Sequence, residues 1–287
     1  MTTNQSYNHH YVPESILRNF AYKKNTVYSL IKIDPLCVVP NNVDNLCQKK
    51  GFYEISLGKN DDPKLIERIN YDIDVFENLD YDIAPITKKI IETKELKSIN
   101  SEERDKLIKY TVYQYLRVKS VRDIAKRFWH DEELIELSHA RILTDYDSIN
   151  SLVNILNNYQ LDIINPIIGD EFVISDSPVL WDATGEGIYF PISPNICLYY
   201  HDRKYDLNNC LDSICINDLQ FRASVKHTIA RSESVLHKIK NNEYKDHIVK
   251  FFKSGRPSYW KCILETNSSD KCISQFINKM DDFKKLI

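Results

Sequence analysis

The sequence predicts an α+β fold: a predominantly helical single domain with a strand-rich insert and short N-terminal strands. Apolar residues recur at helical spacing over much of residues 83–157, whereas the chain after Gln160 breaks into short apolar runs separated by Gly and Pro. Helices and strands are therefore segregated along the chain rather than alternating as βαβ units. No long polar linker interrupts the 287 residues, so one domain over 1–287 is expected. Any subdivision would separate a mainly helical part, 1–158, from a strand-rich part with C-terminal helices, 159–287.

Each element has a local reason. Residues 27–33 alternate and are rich in β-branched side chains, which reads as a strand before the turn at Asp34-Pro35. Residues 51–57 read as a second strand. Asp62-Pro63 puts a proline in the first turn of a helix expected to run toward Leu79, and a second helix is expected over about 83–93. Ser101 followed by Glu102 and Glu103 starts a long helix expected to reach Trp129, with Ser101 as the cap and the carboxylates at its positive end. Helices over 131–143 and 147–157 follow. The runs 161–168, 171–174, 188–190 and 196–200 read as strands among Gly169, Pro178, Gly185-Glu186-Gly187, Pro191 and Pro194. Residues 216–230 and 232–252 return to helix, with a strand expected over 259–264 and a terminal helix over 271–286.

Composition excludes several function classes. Lys plus Arg is 38 and Asp plus Glu is 41, a net charge of −3, which rules out DNA binding through bulk positive charge. A local basic patch for nucleic acid stays open. No run approaches the roughly 18 apolar residues of a membrane helix. The N-terminus lacks the basic and apolar regions of a signal peptide, so a cytoplasmic location is expected. The seven cysteines are odd in number and show no C-x-x-C spacing, which reads as buried small hydrophobes rather than disulfides or a zinc ribbon. Neither a P-loop nor a G-x-G-x-x-G fingerprint occurs, and H-E-x-x-H and G-x-S-x-G are likewise missing.

Three clusters hold residues able to do chemistry. On the long helix, Leu107, Tyr110, Val118, Val121 and Ala125 form an apolar stripe with Gln114 near its middle and Arg117 on its flank. Polar groups there need partners, because burying them unsatisfied costs several kcal/mol. Asp176, Glu77 or backbone carbonyls are the expected partners. The helix also carries Lys119, Arg122, Lys126 and Arg127, read as a solvated face. The second cluster is His9-His10-Tyr11-Val12-Pro13 with Arg18 nearby, where an imidazole can work near neutral pH or simply be hydrogen-bonded. The third is Ser175-Asp176-Ser177-Pro178 after an apolar strand, which can present a carboxylate to a ligand or cap backbone amides.

Taken in order, these motifs resemble the bacterial domain of unknown function 4238 family. Its pattern is matched by His9-His10-Tyr11-Val12-Pro13 with Leu17-Arg18-Asn19-Phe20, by Asn42-Val43 with Phe52-Tyr53, and by Gln114-Tyr115-Leu116-Arg117. Phe172-Val173-Ile174-Ser175-Asp176-Ser177-Pro178, Pro191-Ile192-Ser193-Pro194 and Asn217 complete it. The departure is Val118-Lys119, where relatives tend to carry Thr-Pro. The resemblance implies no established activity. It does imply that the separated motifs belong together, as a site assembled from several segments would.

Histidine, arginine and carboxylate suffice for phosphodiester cleavage. The expectation is therefore a hydrolase, a nuclease acting on RNA or DNA in bacterial defence or toxin activity. His10, Arg117 and Asp176 would be catalytic, and His9, Arg18, Gln114 and Ser175 would bind. A divalent metal, Mg²⁺ or Mn²⁺, would sit on Asp176 or Glu77 if one is used. The competing expectation is a non-catalytic binding module for an anionic nucleotide or a protein partner, a second copy of the chain included. A third is that the motifs are polar staples of the core.

Overall fold

Side-chain alternation pins the N-terminal strands, because neighbouring residues of a strand face opposite sides. The computed structural model describes residues 8–58, 66–70, 76–126, 128–181, 187–203 and 210–253. Strand β1 (Asn8–His10) leads into helix α1 (Glu14–Arg18), followed by β2 (Thr26–Ile31), β3 (Cys37–Asn42), β4 (Gln48–Lys50), β5 (Glu54–Gly58) and β6 (Ile66–Asn70). The helical body is α2 (Glu77–Thr93), α3 (Ser101–Leu116), α4 (Lys119–Ala125), α5 (Glu132–Thr144) and α6 (Tyr146–Asn158). Next come β7 (Gln160–Ile164), β8 (Ile174–Ser175), β9 (Leu180–Trp181), β10 (Gly187–Ser193) and β11 (Ile196–His201). The described chain ends with α7 (Ser213–Ala223), β12 (His227–Ala230), α8 (Glu233–Lys240) and α9 (Lys245–Lys253). The architecture is α+β, and no described helix is long and apolar enough to cross a membrane.

Two four-stranded antiparallel sheets organise the molecule. One has the order β3-β2-β12-β8, so residues nearly two hundred positions apart pair directly, as Ser29 does with Ile229. The other has the order β7-β11-β10-β9, and every residue of β10 and β11 is buried. Smaller pairs join β1 to β4 and β5 to β6. One cluster of buried apolar residues runs from Tyr11 and Leu17 through Leu107, Ile108 and Val112 of α3 to Phe190 and Ile229. It joins the N-terminal segment, the helices and both large sheets. Cys47, Cys197 and Cys215 are buried, as expected of small apolar side chains.

Several boundaries differ from expectation. The helix expected from Asp62 toward Leu79 is not formed over 66–70, which pairs with β5 as β6; α2 begins at Glu77. Asn100, not Ser101, caps α3: its side chain accepts the Glu103 N–H at 2.9 Å, and Glu103 Oε2 accepts the Asn100 N–H at 2.8 Å. This reciprocal capping box leaves Ser101 as the first helical residue. The long helix ends at Leu116. Val118 is extended (φ −80°, ψ 161°) before α4 restarts at Lys119. Relatives with Thr-Pro here would place proline at the first position of that second helix, where its missing N–H costs nothing. The apolar stripe continues across the break because α4 buries Val121, Ile124 and Ala125.

Residues 227–230, expected to be helical, form a central strand between β2 and β8. The helix expected over 232–252 is interrupted, with Asn242 in a left-handed conformation (φ 58°) that asparagine tolerates. Arg127, the strand expected over 259–264 and the terminal helix expected over 271–286 lie outside the described residues.

Candidate functional site

Gln114 and Arg117 lie one helical turn apart on α3, so their side chains project along the same face. Gln114 Nε2 donates to the Tyr11 carbonyl at 2.9 Å, and its Oε1 accepts the Tyr110 hydroxyl at 3.0 Å. Arg117 Nη2 donates to the His10 carbonyl at 2.8 Å. The two side chains of the Q-x-x-R motif therefore grip successive carbonyls of the H-H-Y motif. The rest of the guanidinium is engaged by a two-pronged pair with Asp80, Nη1–Oδ1 at 2.7 Å and Nη2–Oδ2 at 2.9 Å, and by Nε donating to the Tyr53 hydroxyl at 3.2 Å. Its face lies 4.3 Å from the Phe76 ring centre.

Arg117 is only 1% exposed. Burial opposes its charge, but Asp80 and the phenolic oxygens of Tyr53 and Tyr110 more than offset this, and its pKa is held well above the ordinary value. Among the described residues the acidic partner is thus Asp80 on α2, not Asp176. Glu77 begins α2, and its side chain lies outside the described residues. Arg122, read as solvated, is buried; its Nη1 donates to the Phe52 carbonyl at 2.9 Å and its Nη2 to Glu136 at 2.6 Å.

A second clasp surrounds Asp176. The Val225 N–H donates to its Oδ1 at 2.7 Å, and the Lys226 and His227 N–H groups donate to its Oδ2 at 2.7 and 3.0 Å. Burial raises its pKa, while these three amides act the other way. A carboxylate that accepts three amide protons holds the turn before β12. Beside it, Ser175 Oγ donates to Gln220 Oε1 at 2.6 Å, and Gln220 Nε2 donates to the Pro178 carbonyl at 2.7 Å. Asn217 bridges the Val173 N–H and the Glu171 carbonyl, at 2.9 and 2.8 Å. Asn19 Nδ2 donates to the Ile192 carbonyl at 3.0 Å, linking the L-R-x-F and P-x-S-P segments.

The sequence motifs are therefore brought together, but as adjoining internal clasps. Asp176 makes its hydrogen bonds with residues 225–227, and neither Arg117 nor the His10 side chain is among its partners. Beside Asp176, Ser177 Oγ donates to Ser120 Oγ of α4 at 2.9 Å, which ties the two regions directly. Burial raises the Tyr11 phenol pKa first, and the fields of Cys47 and Asp176 add to this.

What reaches the surface is the group of His10, Glu14 and Arg18 side chains. Strand alternation turns His9 inward, where its Nδ1 accepts the Tyr53 N–H at 3.4 Å, and leaves His10 half-buried at 19% side-chain exposure. His10 Nε2 stands 3.2 Å from Glu14 Oε1 in the first turn of α1, and its Nδ1 is buried. Glu14 also contacts Arg18, whose Nη2 lies 3.5 Å from Asp44. Burial lowers the pKa of His10, and the neighbouring Glu14 carboxylate opposes that shift. Glu14 and Asp44 were not singled out from the sequence; the four-residue step from His10 to Glu14 and the place of Asp44 directly after Asn42-Val43 were the available signals.

In comparisons with the curated proteins and with the solved structures, nothing matches. The family model described as protein of unknown function (DUF4238) matches residues 8–234, well over half of the chain and all of the motifs above. The chain belongs to the DUF4238 family.

Proposed function

We propose that this protein is a phosphodiester hydrolase acting on RNA or DNA, with His10 as its acid–base group. The observation that supports this is the His10–Glu14 pair, with a 3.2 Å separation, at the partly buried end of β1. In this reading His10 Nε2 takes the proton from the attacking water or ribose hydroxyl as its oxygen bonds to phosphorus, the P–O bond to the leaving nucleoside breaks, and the imidazolium returns the proton to the departing oxygen. Glu14 stabilises the imidazolium that results, and Arg18 leaves its carboxylate partners to meet a phosphate oxygen. Gln114 and Arg117 act as positioning residues, because they fix the backbone at Tyr11 and His10. Asp176 holds the neighbouring turn. A Mg²⁺ or Mn²⁺ requirement would draw on Glu14 and Asp44, the carboxylates around Arg18.

A non-catalytic binding module is the second reading, favoured by the internal pairing of Gln114, Arg117 and Asp176. Incubation with single- and double-stranded RNA and DNA, with and without Mg²⁺ or Mn²⁺, separates the two. Cleavage by the wild type that is lost in Glu14→Gln supports the hydrolase. Retention of a nucleic acid without cleavage under every condition supports the binding module.

A further inference from the structure

We infer that Asp212, Cys215 and His247 form a zinc site that ties α9 to the start of α7, remote in sequence from the His10 cluster and independent of its function. Asp212 is the N-cap of α7, and its Oδ1 accepts the Cys215 N–H at 2.9 Å. This leaves Oδ2 facing His247 Nε2 on α9, 2.6 Å away. Cys215 lies in the same first turn and is buried. One ligand atom from each of the three residues lies within 4.8 Å of the other two.

Coordination chemistry selects the ion. Thiolate, imidazole and carboxylate together suit Zn²⁺, whereas Mg²⁺ and Ca²⁺ prefer oxygen ligands. Zinc bonds of about 2.0 to 2.3 Å in a tetrahedron put ligand atoms about 3.3 to 3.8 Å apart. The 2.6 Å contact between Asp212 and His247 must therefore open and the sulfur must move in. Side-chain exposures of 39% for His247 and 21% for Asp212 leave room for that adjustment. On binding, the Cys215 thiol releases its proton to solvent, and His247 coordinates through an unprotonated Nε2. No electron transfer is involved. Three protein ligands leave a fourth position for water. His247 lies beyond residue 234, where the family match ends.

The test uses the full chain, reduced and stripped of metal, titrated with Co²⁺. One equivalent should produce a thiolate-to-cobalt charge-transfer band with tetrahedral visible bands, displaced by Zn²⁺. Cys215→Ser should abolish the charge-transfer band. His247→Ala, at a half-exposed position, should keep the fold and weaken Co²⁺ affinity by at least about a hundredfold, since even outer-shell changes cost about 10- to 100-fold. Cys37→Ser, on β3, should change nothing. The site is overturned if the wild type gives no thiolate band, if the band survives Cys215→Ser, or if His247→Ala binds as tightly as the wild type.

Discussion

Replacing Arg117 by Met keeps most of the side-chain volume and removes every polar contact of the guanidinium. The Asp80 pair and the bonds to the His10 carbonyl and the Tyr53 hydroxyl disappear together. Breaking a buried ion pair from one side costs about 3 to 5 kcal/mol, chiefly because a carboxylate is left stranded. Asp80 keeps 30% side-chain exposure and can regain water, which places the loss near the lower end, about 3 kcal/mol. At about 2 °C or more for each kcal/mol in a chain of this size, the melting temperature should fall by about 6 °C or more. Thermal unfolding followed by circular dichroism measures it. Adding Asp80→Asn should recover part of the loss, because the stranded charge is gone. A melting temperature within about 1 °C of wild type would refute the claim that Arg117 is an internal clasp.

Asp176→Asn should also destabilise, by about 1 to 3 kcal/mol, because an amide accepts through one oxygen where three N–H groups now converge on a carboxylate. A denaturant midpoint equal to that of the wild type would contradict this. Acid should destabilise the fold through His139 and His227, which burial pushes down from 6.5 to about 3 and about 4. Both bind protons more readily when unfolded, so their contribution is complete above pH 6.5 and is lost as pH falls from there toward about 4 and then about 3. Asp176, shifted upward, works in the opposite sense. Replacing His139 by Gln should flatten the acid limb of a stability–pH curve measured by urea unfolding; an unchanged limb would remove His139 from the account.

Some of this molecule could be read locally. β2 follows directly from alternating β-branched residues, and the two-strand hairpin of β10 and β11 from apolar runs around Pro194. The burial of Gln114 and Arg117 was visible because they interrupt an apolar helical stripe. Backbone carbonyls were expected as partners, but not which ones: those of Tyr11 and His10 leave no trace in side-chain sequence, and Asp80 is on another helix. For the same reason Ser-Asp-x-Pro resembled a site, although its carboxylate is satisfied by amides some fifty residues further on. The break at Val118 escaped periodicity because both helices bury one continuous face. β12 was read as helix because a short apolar run has no periodicity of its own, and its place between β2 and β8 is fixed by distant pairing.

The proposed chemistry rests on one imidazole, so the most direct measurement is the single-turnover cleavage rate of His10→Ala against wild type, on whichever nucleic acid the wild type cleaves. General acid–base assistance is worth about two to four powers of ten. The account predicts a rate reduced at least about a hundredfold with an unchanged melting temperature, since the structural grip of Arg117 is on the His10 carbonyl and not on its ring. Cleavage by His10→Ala at the wild-type rate would contradict it.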